Sequence, residues 1–97
     1  MKEDEIRELV ARYQLPDGRE DAVLGLAETA LALGVSLPTM QRYLKIGMPA
    51  LERGRVGRSW RIRLAAAWAW RQAHLEEQAE RRAEIQRTIS GMSRRAR

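Results

Sequence analysis

The sequence has no cysteine, no phenylalanine, a single histidine and three prolines. Without cysteine there are neither disulfides nor thiolate metal sites, which fits a reducing compartment, so the cytoplasm is the expected location. The lone His74 has no second histidine or cysteine to share a metal with, and it reads as a surface or packed residue. With no His–carboxylate pair, no cysteine nucleophile and no metal cluster, an enzyme is not expected, nor is a cofactor. No apolar run approaches the roughly 18 residues that span a bilayer, so no membrane partner is expected. The opening MKEDEIRELV is too acidic and too interrupted for a signal peptide. The missing phenylalanine leaves three Trp and two Tyr to supply the large aromatic packing.

What is present is an ordinary apolar share, 44%, on 97 residues, enough for one domain and one projecting helix. The net charge of +5 is unevenly placed. Residues 1–25 carry four basic and seven acidic groups, a balance of −3, whereas residues 26–74 carry eight and two, a balance of +6. Residues 75–97 carry six and four, a balance of +2. A basic middle behind an acidic front points to a polyanion contact concentrated in one stretch. A solvated arginine-rich surface is the bland alternative.

Hydrophobic spacing predicts four helices and one hairpin. Ile6, Leu9, Val10 and Tyr13 form one stripe of a first helix from Glu3 to Gln14, ended by Leu15-Pro16-Asp17-Gly18. A second helix runs from Gly25 to Leu33 and stops at Gly34, where a left-handed backbone is needed. Ser36 is a good N-cap for a third helix that holds Pro38 in its first turn and continues through Ile46. Gly47-Met48-Pro49 closes it. Ala50–Arg53 and Ser59–Arg63 are short strands, with Trp60 and Ile62 on one face and Ser59, Arg61 and Arg63 on the other. Leu64 opens a long helix reaching Ile89, with Gly91 as its stop and a frayed tail from Ser93 to Arg97.

The stretch from Leu26 to Leu44 carries the functional signal. A helix-turn-helix needs a small residue where its helices cross (Ala30), glycine in the turn (Gly34) and an apolar residue just after it (Val35). It also needs buried residues that lock the second helix onto the first, here Met40 and Tyr43. That spacing turns Leu37, Pro38, Gln41, Arg42 and Lys45 outward. Glutamine and arginine make two-pronged contacts with adenine and guanine edges, so Gln41 and Arg42 are the candidate base readers. Ser36, Thr39 and Lys45 suit phosphates, which set register without reading sequence. An ordinary helical hairpin with a polar exterior is the competing reading.

The predicted hairpin strengthens the nucleic-acid reading. Arg53, Arg55 and Arg58 surround two glycines, so a mobile loop can approach the duplex backbone or minor groove, with Arg61 on the adjoining strand. Gly54 to Ser59 superficially resembles a nucleotide phosphate loop but lacks the terminal Gly-Lys-Ser/Thr and its spacing, which rejects ATP binding.

On these features, residues 24–75 resemble the winged-helix DNA-binding domain of the small terminase subunit of lambda-type tailed phages. The resemblance rests on Ala30…Gly34-Val35-Ser36…Thr39…Gln41, on Gly47-Met48-Pro49, and on Leu51, the glycine-bearing wing and Ala65-Ala66…Trp70. It implies a mainly α fold, a winged helix-turn-helix with a short two-stranded β-hairpin wing and a long C-terminal helix. It further implies Gln41 and Arg42 at recognition-helix positions and Gly54 to Arg58 as the wing. The implied partners are double-stranded DNA near a packaging start, other copies of the chain, and a large terminase subunit that carries the ATPase and nuclease. The location would then be the host cytoplasm. Excisionases and MerR-type regulators share the hairpin and wing; the Gly-Met-Pro junction favours terminase. Three departures stand out: the acidic first helix lies outside the match, Arg63-Leu64 replaces the polar cap expected before the wing helix, and longer members continue further.

The chain therefore divides into an acidic N-terminal helix and turn (1–20), a winged helix-turn-helix (21–75), and a polar helical extension with a basic tail (76–97). Trp68 and Trp70 read as core. Leu75, Ala79, Arg82, Ile85, Ile89 and Met92 form a stripe that Arg82 breaks, short of a sustained coiled coil, while Glu77 and Arg81 are spaced to pair. The N-terminal stripe covers the core or docks a partner, its acidic outer face turned from DNA. The competing functions are an excisionase-like or MerR-like regulator and, in another class, a protein-interaction adaptor without DNA contact.

Overall fold

The computed structural model describes the backbone of residues 1–95 and the side chains of residues 1–91. Its elements are α1 (Glu3–Arg12), β1 (Val23–Leu24), α2 (Leu26–Leu33), α3 (Leu37–Ile46), β2 (Ile62–Arg63) and α4 (Leu64–Arg95). The fold is mainly α, a winged helix-turn-helix with a long C-terminal helix.

Local chemistry sets the helix-turn-helix. α2 ends in a Schellman motif: the Val35 amide donates to Ala30 O at 3.0 Å and the Gly34 amide to Leu31 O at 3.1 Å. Gly34 adopts φ 71°, the left-handed region that costs glycine little. Val35 then packs on the core. Ser36 caps α3, its Oγ accepting from the Thr39 amide at 3.3 Å. At the crossing, Thr29 is buried and satisfies its hydroxyl on Gly25 O at 2.7 Å, so the second buried position beside Ala30 is polar yet paired.

The core gathers Ala30 and Leu33 of α2, Met40, Tyr43 and Leu44 of α3, Met48, Ile62 of β2, and Leu64 and Ala67 of α4. Met40 and Ile62 are wholly buried, each contributing about 1.5–3 kcal/mol relative to exposure. Around Ala65–Trp70 the helix is apolar on nearly every side because it is covered on nearly every side: Ala65, Ala66, Ala67 and Ala69 are buried and both tryptophans half-buried. Trp70 meets Tyr43 edge-on, with centroids 5.4 Å apart, and stacks on His74 at 4.9 Å. His74 is thus packed against the base of α3.

Four expectations need correction. The expected second strand, Ser59–Arg63, is split. Its last two residues form β2 and pair antiparallel with β1, Val23 opposite Arg63 and Leu24 opposite Ile62. A two-residue strand is too short to show any alternation, which hid β1. The wing itself is a ribbon held by two isolated bridges, Glu52–Arg61 and Arg55–Arg58. α1 ends at Arg12, two residues early, with Tyr13 as its cap. Gly25 caps α2 and is not its first residue. α4 runs through Gly91 to Arg95. Glycine inside a helix costs about 1 kcal/mol but does not break it, and Gly91 lacks the positive φ of a stop. Ser93–Arg95 are therefore helical; Ala96 and Arg97 of the expected frayed tail lie outside the described residues.

The polar cap missing before α4 comes from elsewhere in the chain. Asp21 Oδ1 accepts from the Ala65 amide at 2.9 Å and Oδ2 from Arg63 Nε at 2.7 Å. Partial burial would raise this carboxyl's pKa, but the Ala65 amide, Arg63 and the Ala22 amide outweigh it and hold it below the usual carboxylate value. α1 packs along α4 with Ile6, Leu9, Val10 and Tyr13 half-buried, and the Tyr13 hydroxyl donates to Glu76. The expected Glu77–Arg81 pair forms at 3.1 Å.

Candidate nucleic-acid interface

Burial of Met40 and Tyr43 fixes the rotation of α3 and decides what it displays. Gln41, Arg42 and Lys45 are exposed. Among the described residues, neither Arg42 nor Lys45 takes part in an ion pair. Leu37 and Pro38 are exposed at the N-terminal turn of α3, where free amides and the helix dipole favour an anion. Ser36 and Thr39 are less free than their sequence suggests: the Ser36 hydroxyl donates to Thr39 Oγ1 at 3.0 Å while accepting from the Thr39 amide. Both hydroxyls are engaged in the cap, so the Ser36 oxygen is committed first to the helix.

The wing is built on a tryptophan. Trp60 packs on the core from β2's approach, and Gly54 lies directly beneath its indole. A Cβ on Gly54 would meet Trp60 Cγ at 2.9 Å and the pyrrole edge closer still. The Arg53 guanidinium sits over the same ring, 5.4 Å from its centroid. Gly54 is thus no flexible hinge; it is the one residue thin enough to let the ribbon lie on Trp60. At the tip, the amides and carbonyls of Arg55 and Arg58 exchange bonds of 3.1 and 2.8 Å. Val56 and Gly57 make the turn, Gly57 at φ 80° as a turn with positive φ at its third residue requires.

The ten sequence-predicted site residues fall into four groups. Pro38, Gln41, Arg42 and Lys45 are exposed along α3, and Arg53, Arg55 and Arg58 are exposed along the wing. The two sets meet where Lys45 and Arg53 line one hollow with Pro49 and Ala50. Ser36 and Thr39 serve the cap. Arg61 stands apart, paired with Glu52 at 3.2 Å at the foot of the ribbon. An exposed pair of this kind is worth little in stability, but it offsets the charge there and leaves the uncompensated cations nearer the tip.

Sequence reasoning missed Trp60 and Asp21 as organisers. The Gly54…Trp60 spacing carries a signal only once the ribbon is known to fold back on itself. The acidic helix also comes closer than expected. Met1 and Ile6 line the hollow that holds Lys45 and Arg53, and Glu3 lines a second one with Leu51 and Arg63. The start of α1 therefore borders the cationic surface.

Neither the known family descriptions, nor the curated proteins, nor the solved structures contain a match to this chain. Among the described residues no helix is long and apolar enough to cross a membrane.

Proposed function

We propose that this chain binds double-stranded DNA, laying α3 in the major groove and the arginine wing along the flanking backbone and minor groove. One observation supports this above the rest. Met40 and Tyr43 are held inward, so Gln41, Arg42 and Lys45 stand exposed, the two cations without an ion pair among the described residues, beside a ribbon carrying Arg53, Arg55 and Arg58. A helix of this width fits the major groove, and the two outward side chains suit two-pronged base contacts. The cationic wing supplies the salt-sensitive, sequence-independent part of the affinity.

The finer role follows from the resemblance to small terminase subunits: recognition of viral DNA for packaging, self-assembly, and recruitment of a large ATPase–nuclease subunit. Self-assembly draws support from the outer stretch of α4, where Ile85 and Ile89 are 58% and 51% exposed. A second reading, a regulator dimer of the excisionase or MerR type, is favoured by the unbroken run of α4 to Arg95. Mass in solution and identification of co-purifying proteins separate the two. A ring or an associated ATPase–nuclease supports packaging, and a dimer alone supports regulation. The DNA-binding reading itself is tested by titrating a labelled duplex at rising salt. Affinity should fall linearly on logarithmic axes, with a slope near −0.9 per phosphate neutralised. No affinity even at low salt would leave the adaptor reading in its place.

A further inference from the structure

The wing ends on an apolar residue. Val56 is 105% exposed, the most exposed large hydrophobic side chain among the described residues. The side chain buries no surface within the fold, and the second position of such a turn accepts most residues. Its setting is specific. Arg55 and Arg58 bracket it and are locked together by their backbone bonds, so the tip is a single tight turn. Glu52 offsets Arg61 at the foot, while Arg53 is braced on Trp60. The ribbon is therefore narrow, stiffened from behind, cationic toward its end and hydrophobic at its point.

We infer that Val56 meets the floor of the minor groove and makes the protein prefer A·T over G·C pairs beneath the wing. The inference rests on the DNA-binding reading above and adds the residue that discriminates. A minor groove about 6 Å wide admits a single small side chain presented at the apex of a turn. Its A·T floor carries no projecting donor for an apolar side chain to leave unsatisfied, while the flanking arginines lie along the phosphates. A G·C pair adds an amino group that projects from the floor and needs an acceptor. A valine side chain there excludes water and accepts nothing, so the amino group is left unsatisfied, at a cost of about tenfold in affinity.

Inosine isolates this effect, because an I·C pair lacks the projecting amino group and keeps the major-groove pattern of G·C. Dissociation constants are measured at one low salt concentration for a 24-base-pair alternating G·C duplex and its alternating I·C counterpart. The wild-type protein should bind the I·C duplex about tenfold more tightly. Val56→Ser, whose hydroxyl can accept from the amino group, should bring the ratio close to one. Arg55→Ala should weaken both duplexes alike and keep the ratio. Equal wild-type affinities, or a ratio unmoved by Val56→Ser, would overturn the role of Val56 while leaving DNA binding standing. Failure to bind either duplex would remove both the DNA reading and this inference. Because Val56 touches no core residue, an unchanged circular dichroism melt is expected for its variant.

Discussion

The indole of Trp60 fills the space that a side chain on Gly54 would need, so a residue of the wing's outgoing strand is chosen by one on its return. Gly54→Ala should displace the ribbon without unfolding the domain, because the collision is with a half-buried ring that itself packs on the core. The expected result is a near-normal melting temperature with weaker duplex binding. A variant that keeps full affinity would show either that the ring yields without moving the ribbon or that the wing position does not matter to binding. Trp60→Ala should give the same binding loss together with a lower melting temperature, since Trp60 also packs on the core.

Asp21 ties residue 21 to the start of α4 and gives stability a pH dependence. Its carboxyl is held below its usual pKa, so its contribution is fully present above the unfolded value, about 4. That contribution is lost as pH falls through the depressed folded value. Asp21→Asn keeps the shape, loses the charge, and should flatten the acid limb of a stability–pH curve. Asp21→Ala should cost about 1 kcal/mol at neutral pH, as loss of a helix cap does. An acid limb identical to wild type in the Asn variant would show that another carboxylate dominates.

Met40 is fully buried and sets the rotation of α3. Met40→Ala should destabilise by about 2–5 kcal/mol, measured by urea unfolding. Its DNA affinity should fall only in proportion to the unfolded fraction if α3 keeps its place. A cost below about 1 kcal/mol would mean that the site relaxes around the cavity.

Arg42 and Arg55 should differ in kind. Arg42→Ala should cost about 1–3 kcal/mol on a preferred sequence and relax the preference. Arg55→Ala should weaken all duplexes similarly and reduce the salt slope by about one. An equal loss on every sequence from Arg42→Ala would reassign it to the backbone.

The acidic first turn of α1, Glu3, Asp4 and Glu5, borders the same cationic surface. Glu3→Gln/Glu5→Gln should raise duplex affinity modestly at low salt, with the gain vanishing above about 0.15 M as the Debye length shrinks. No change at low salt would place the helix beyond electrostatic reach.

The helix-turn-helix was legible because its demands are local. Gly34, Ser36, Met40 and Tyr43 each satisfy a requirement set within a few residues, so periodicity and capping place them. The wing was legible in outline but not in register. Its ladder depends on Trp60 covering Gly54 and on β2 leaving the ribbon to pair with Val23–Leu24, a partner nearly forty residues upstream. Asp21 was silent for the same reason: a cap delivered from 44 residues away leaves no spacing signal. At the other end, Gly91 looked like a stop because glycine so often ends helices, yet nothing beside it supplies the left-handed turn that makes it one.

Amide chemical-shift mapping with an isotopically labelled protein and a short duplex tests the central assignment most directly. The largest changes should fall on residues 36–45 and 53–61, with smaller ones at the start of α1 and the outer half of α4 nearly silent. Changes centred on α1 or on residues 76–91, with α3 and the wing unmoved, would contradict it.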